Sequence, residues 1–252
     1  MGLIPILIIL ILILVYASKE QFGVFRRKHS NDCKSLEIIT LDSGIPGPCI
    51  GIISGVHGNE PAGSYTLIKM LQAGELRPSR GKLIVIPRAN QCGLEKNIRM
   101  DPITKNDINR QFTEHGSDYK SKQIIEATKN CDLILDFHEG WGWHLDTKKK
   151  KQRNPFQPIS LGSTLTPTEH PLTRRIAPII IETLNKDILN PLHKFSILYG
   201  SSCDIPKTFA CQSQNNGRAH ILIETTGQKN VQPLAVREQQ IRTILQTVMS
   251  IV

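Results

Sequence analysis

Asp132-Leu133-Ile134-Leu135-Asp136-Phe137-His138-Glu139-Gly140 is the stretch on which the fold turns. An apolar run that ends in a carboxylate and an imidazole reads as a buried strand delivering polar groups to the edge of a sheet. We place the strand over Asp132–Phe137, leading into His138. Side chains alternate along a strand, so Asp136 and His138 share one face. A carboxylate there can orient a metal-binding histidine, although a core Asp–His pair explains this stretch equally well when it stands alone.

Outward from it, β-rich apolar runs alternate with helix-like stretches, the pattern of an α/β sheet. The other expected strands are Leu36–Leu41, Cys49–Ser54, Lys82–Ile86, His193–Leu198 and His220–Ile223. Helices are expected over Pro61–Ala73, Lys120–Lys129, Leu172–Asn185 and Val236–Val248. Pro61 suits a first helical position, where its missing N–H costs nothing. Residues 87–119 read as irregular and polar. Residues 139–170 read as a long Lys/Pro/Thr-rich loop, a length that usually carries function. The expected architecture is a single α/β domain, with a central mixed, mostly parallel sheet flanked by helices, over residues 35–252.

The chain has 252 residues, 39% hydrophobic and 5% aromatic, with a net charge of +9. That composition supports a globular core and excludes a disordered or fibrous chain. Residues 19–34 and 147–153 together carry +8 of the +9. A nucleic-acid binder spreads Lys and Arg over a face and interleaves aromatics. The charge here reads instead as a membrane flank and a solvated loop, and no nucleic-acid partner is expected.

Residues 1–18 carry no charged side chain, and Leu3–Ala17 is an unbroken apolar run. As a helix it would span roughly 27 Å, close to a hydrocarbon core. The expectation is a hydrophobic N-terminal helix over 1–18, followed by a basic linker over 19–34. The basic flank favours a single-pass anchor with the remaining chain on the cytoplasmic side. Secretion after signal cleavage is the alternative, because Val15 and Ala17 suit the −3 and −1 positions. The six cysteines stand singly with no CxxC pair, which argues against a Cys-based zinc or redox site. Their even count permits disulfides, with Cys49 and Cys131 reading as buried thiols.

Three motifs carry chemistry. Gly55-Val56-His57-Gly58-Asn59-Glu60-Pro61-Ala62-Gly63 leaves a strand and opens a helix, so His57 and Glu60 can face one point as a zinc-type N/O pair. The plainer reading is a Gly-rich turn with Glu60 favouring the helix dipole. His138 is the second. Glu224, ending His220-Ile221-Leu222-Ile223-Glu224, is the third, either a tuned general base or an ordinary strand-end carboxylate. All three fall at carboxyl ends of expected strands, where open α/β sheets bind ligands. Two histidines and a carboxylate, with a position left for water, are the composition of a catalytic zinc site. Asn97, Arg99, Asn109 and Arg110 lie in the irregular stretch after Lys82–Ile86, and the Arg fork matches a carboxylate.

In their order, His57-Gly58-Asn59-Glu60, Arg99, Asn109-Arg110, Asp136-Phe137-His138 and Glu224 resemble the zinc carboxypeptidase superfamily, in its succinylglutamate desuccinylase/aspartoacylase branch. The resemblance runs from about residue 36 to 227. It implies a zinc carboxypeptidase-like fold holding one Zn²⁺ on His57, Glu60 and His138, with Glu224 as general base. Arg99 would polarise the carbonyl and stabilise the oxyanion. Asn109 and Arg110 would hold the free carboxylate of an N-acyl amino acid or of a peptide C-terminus. Tyr199 is the candidate for the substrate-binding tyrosine of carboxypeptidases. The run Glu139-Gly140-Trp141-Gly142-Trp143-His144 departs from the desuccinylase and aspartoacylase pattern, and its tryptophans are read as pocket-lining or lid residues.

The expected activity is hydrolysis of an amide, or an ester, beside a free carboxylate, as in an N-acyl-amino-acid deacylase. A metallocarboxypeptidase and a non-catalytic anchored binding protein on the same fold are the alternatives.

Overall fold

The computed structural model describes residues 33–144 and 160–252. The hydrophobic segment expected over 1–18 and the Lys148–Arg153 loop lie outside the described residues. No helix of the described residues is long and apolar enough to cross a membrane.

Seven strands form one mixed sheet: β1 (Ile39–Asp42), β2 (Cys49–Ser54), β3 (Lys82–Ile86), β4 (Leu133–Gly140), β5 (Thr164–Pro167), β6 (Ser196–Ile197) and β7 (His220–Thr226). Their spatial order is β1-β3-β2-β4-β7-β5-β6. Strands β3, β2, β4 and β7 run parallel through the centre. β1 is antiparallel to β3, β5 is antiparallel to β7, and β6 is parallel to β5. Every residue of β2 and β4 is buried, as expected of strands covered on both faces.

Among the described residues, six helices accompany the sheet: α1 (Ala62–Ala73), α2 (Gln91–Lys96), α3 (Tyr119–Thr128), α4 (Pro171–Asn185), α5 (Phe209–Asn215) and α6 (Leu234–Ile251). The period-2 alternation divides the core in two. Ile50, Ile52, Leu133 and Leu135 pack with Leu67, Met70, Ile176, Ile180, Ile241 and Ile244 from α1, α4 and α6. Ile53, Ile86 and Ile134 pack with Ile124 and Phe209, from α3 and α5. Asp136 and His138 continue the parity of Ile134, and His220 and Glu224 stand on neighbouring β7. The β4–β7 register sets Ile134 against His220 and His138 against Glu224.

Several sequence-based boundaries shift. β4 continues to Gly140 rather than ending at Phe137, because β7 supplies a backbone partner for each residue up to Gly140. The expected loop 139–170 contains β5, whose four residues are all buried; Thr164-Leu165-Thr166-Pro167 is too short and too polar to announce itself. The strand expected over His193–Leu198 narrows to Ser196–Ile197, because Pro191–His193 forms a 3-10 turn capped by the Asn190 side chain. The irregular stretch 87–119 contains α2 and a 3-10 turn, Ile108–Arg110.

Disulfides join Cys33 to Cys92 and Cys203 to Cys211. Cys49 and Cys131 remain thiols, their sulfurs 2.9 Å apart where β2 and β4 begin.

Candidate metal centre and its surroundings

β2 ends at Ser54, and the chain turns sharply through Gly55, whose φ of +70° lies in the left-handed region. A Cβ there would also sit 2.5 Å from Ser64 Oγ, so glycine is required on both counts. The turn brings His57 and Glu60 back over the carboxyl end of the sheet, with the Glu60 N–H donating to the His57 carbonyl at 3.2 Å. Gly58 lets this loop lie directly on α2; a Cβ at that position would fall 2.0 Å from the Gly93 carbonyl carbon.

His57, Glu60 and His138 converge as a buried cluster, one potential ligand atom from each lying within 4.8 Å of the others. The Nδ1 atoms of His57 and His138 are 3.1 Å apart. His57 Nδ1 is 2.9 Å from Glu60 Oε1, and His138 Nδ1 is 2.9 Å from Glu60 Oε2. Two imidazole nitrogens and a carboxylate aimed at one small volume is the donor set that suits zinc.

The electrostatics point the same way. Burial opposes ionisation of Glu60, but His57 and His138 outweigh it and hold the carboxyl well below its usual range. Asp107, on the far side of His57 with its Oδ1 3.1 Å from Nε2, is likewise held ionised against burial by His57 and Arg99. Asp136 stays ionised beside His138, whose imidazole is raised against burial by Asp136 and Glu60. Carboxylates that remain charged when buried create a place where a cation is stabilised. Asp136 reaches beyond His138 as well. It lies 3.4 Å from His138 Nε2 and 3.7 Å from His220 Nε2, and His220 Nδ1 is 2.9 Å from Ser213 Oγ.

Glu224 stands opposite His138 on β7, partly buried. Burial pushes its carboxyl up to about 8, reinforced by Glu60 and Asp136 and opposed by His138 and Arg99. Arg99 donates from Nε to Asp107 at 3.0 Å and from Nη1 to Glu60 Oε1 at 3.3 Å. Its loop is anchored from below. Lys120, fully buried, pairs with Asp101 at 2.9 Å and donates to Asn90 Oδ1. Asn90 Nδ2 in turn donates to the carbonyls of Arg99 and Met100.

The other expected residues are placed as follows. Asn109 is buried, and its Oδ1 accepts the Phe209 N–H at 3.0 Å, so its amide NH2 is what it can offer a ligand. Arg110 donates to the Asn109 carbonyl at 2.7 Å. Tyr199 is exposed, with the Arg174 guanidinium 4.8 Å over its ring.

Four residues the sequence did not single out for roles at the site prove to build it. Asp107 lay inside a motif read for its Asn and Arg. Glu139 points to the opposite face from His138, where it accepts the Ala62 N–H at 2.5 Å and forms a buried ion pair with Arg237. Gln228 donates to Glu60 Oε1 at 2.9 Å and to the Glu139 carbonyl at 2.6 Å. A charged residue at the end of a long buried apolar run was the one available signal, since such a group must find a partner if it is buried.

Residues 46–142 match the model of the succinylglutamate desuccinylase/aspartoacylase catalytic domain, a span that includes His57, Glu60 and His138. Over that span the chain is similar to this family's catalytic domain. Among curated proteins it is 24% identical over 136 residues to N-alpha-acetyl-L-2,4-diaminobutyric acid deacetylase of Halomonas elongata, covering 49% of this chain and 39% of that protein. Among solved structures it resembles tripeptide-bound Csd4 of Helicobacter pylori, with a TM-score of 0.67 and 18% identity over 86% of this chain and 55% of the other. Product-bound EutE of Ruegeria pomeroyi gives 0.55 and 18%, over 83% of this chain and 60% of the other. At these identities the structural likenesses establish the fold. The chain spans less than two thirds of the length of each of these relatives.

Proposed function

We propose that this protein is a zinc-dependent hydrolase that cleaves an amide bond next to a free carboxylate. The observation that carries the reading is the buried convergence of His57, Glu60 and His138, with Glu224 directly across from His138 on the adjoining strand. The relative from Halomonas is a deacetylase, and Csd4 is a D,L-carboxypeptidase; both names fit this bond type.

His57, Glu60 and His138 would hold the ion, which when bound supplies a Lewis acid and lowers the pKa of water towards neutrality. Glu224 takes a proton from the attacking water as the new C–O bond forms. It returns the proton to the amine nitrogen as the C–N bond breaks, so the carboxylate is regenerated. Its raised pKa suits both transfers near neutral pH. Arg99, fixed by Asp107, presents positive charge to the developing oxyanion. Arg110 and the Asn109 amide receive the free carboxylate, the Arg by its planar fork.

A second reading, a carboxypeptidase acting on short peptides rather than a deacylase, is favoured by a cleft of about 430 Å³ beside Glu60. The test of the shared chemistry is elemental analysis of the purified chain together with turnover of N-acyl amino acids and peptides. About one zinc per chain, lost in His138→Ala, with hydrolysis lost in Glu224→Gln, is the expected result. A chain that binds no zinc when it is offered would overturn the proposal.

Location is also a proposal. The hydrophobic segment 1–18 supports membrane attachment or export. The two disulfides among the described residues support an oxidising compartment for the folded part, which favours the exported side over the cytoplasmic one.

A further inference from the structure

The cleft beside Glu60 has a wall whose chemistry narrows the substrate. Asn59 and Pro61 flank the metal-ligand candidate Glu60, and Gln228 is hydrogen-bonded to it. Asn97, two residues before Arg99, and Asn230 add two more carboxamides. Trp141, 49% exposed, supplies an indole. Among the described residues lining the cleft, Arg237 is the charged one. It is committed to the Glu139 carboxylate and to the Gln232 carbonyl. Asn109 and Arg110, the residues assigned to the free carboxylate, are not part of this wall.

We propose that this cleft binds the portion of the substrate on the other side of the scissile bond from the free carboxylate. It selects an uncharged, amide-bearing peptidyl group over a succinyl-type acid or a bare acetyl. The orientation rests on the hydrolase reading; the selectivity rests on the wall. Gln228 has committed its NH2 to Glu60 and Glu139, and the three asparagines offer both donors and acceptors, the complement of a peptide group. Among the described lining residues an entering carboxylate would meet no uncommitted cation, and burying a charge that way is strongly unfavourable. An acetyl group would leave most of the cleft filled with water, whereas clefts of this volume accommodate ligands many atoms larger. The indole adds a flat apolar face, suited to lie against a peptide plane.

The test uses the full chain loaded with zinc and carrying Glu224→Gln, so that binding is read without turnover. Calorimetry compares three ligands ending in the same amino acid: acetyl, succinyl and acetyl-dipeptidyl. The expected result is that the acetyl-dipeptidyl ligand binds at least tenfold tighter than either of the others. Trp141→Ala should collapse that preference to near unity. So should Asn230→Gly, which removes the amide while suiting the left-handed backbone there (φ 54°). Equal affinity for the three ligands, or a preference unmoved by both substitutions, overturns the assignment. Wild-type turnover of the same ligands separates the two proposals. Hydrolysis without preference sinks the cleft assignment alone. A binding preference without any hydrolysis sinks the hydrolase reading and leaves the cleft as a peptide-binding site.

Discussion

His57 and His138 face each other through their Nδ1 atoms at 3.1 Å, with one Glu60 oxygen 2.9 Å from each. Rings so placed repel unless a proton or a cation lies between them. Zinc should therefore raise the melting temperature of the metal-free protein, by an amount corresponding to about 2.7 kcal/mol when free metal is a hundred times its Kd. His138→Ala should abolish the shift. Asp136→Asn should keep it but weaken zinc affinity by about 10–100-fold, because the carboxylate orients the ligand without touching the ion. Scanning calorimetry against zinc concentration decides this; an unshifted melting curve would contradict it.

Glu139 occupies the same strand as His138 but faces α1, and its ion pair with Arg237 is almost wholly buried. Removing one partner strands the other charge. Arg237→Met should cost about 3–5 kcal/mol, measured by urea unfolding. Pairing Arg237→Met with Glu139→Gln should recover a large part of the loss, since Gln can still accept the Ala62 N–H. A single substitution as mild as the double would show the pair to be less dry than its burial indicates.

The central architecture was readable because parallel strands covered on both faces leave unbroken apolar runs; β2, β3 and most of β4 follow from that alone. That His57, Glu60 and His138 would gather at one edge of the sheet, with Glu224 nearby, was readable for a related reason. A polar side chain ending such a run has to emerge at the carboxyl edge, and the β4–β7 register then sets His138 against Glu224. What stayed hidden depends on contacts distant in sequence. Arg237 sits mid-helix and reads as a surface charge until the sheet places Glu139 under it. Gln228 carries no local pattern at all. Asp107 sat in view, but nothing local says that it, rather than its Asn neighbours, turns to His57. β5 gave no signal because four residues alternating Thr with Leu and Pro match no period long enough to count.

Lys120 and Asp101 are both fully buried and 2.9 Å apart, and through Asn90 they fix the carbonyls of Arg99 and Met100. Lys120→Met should cost about 3–5 kcal/mol by leaving Asp101 uncompensated. In whatever fraction remains folded, kcat should fall more than KM rises, because the role proposed for Arg99 is on the developing oxyanion rather than on the bound ground state. Lys120→Arg, which keeps the charge, should lose less of both. Equal loss in the two variants would point to packing alone.

Glu224 supplies the last prediction, because its carboxyl is pushed up to about 8. Its unfolded value is about 4.3. The folded protein thus favours the protonated form, a contribution that is complete below about pH 4.3 and is lost as pH rises through 8. Glu224→Gln, which mimics the protonated group, should stabilise the metal-free protein increasingly between pH 5 and pH 9. The gain should be on the order of 2 kcal/mol at the upper end, less than the bare shift implies because the group is partly solvated. Under the proposed mechanism activity should move the other way, since a general base works only when ionised: substitution should cost about 10²–10⁴-fold in kcat. The wild-type rate should rise with pH along an acidic limb lying below 8, because zinc beside the carboxylate favours its charged form. Chemical unfolding of both proteins at pH 5 and pH 9 and the pH profile of kcat are the measurements. A stability difference that does not grow with pH would place Glu224 in solvent, where a strand-end carboxylate needs no role.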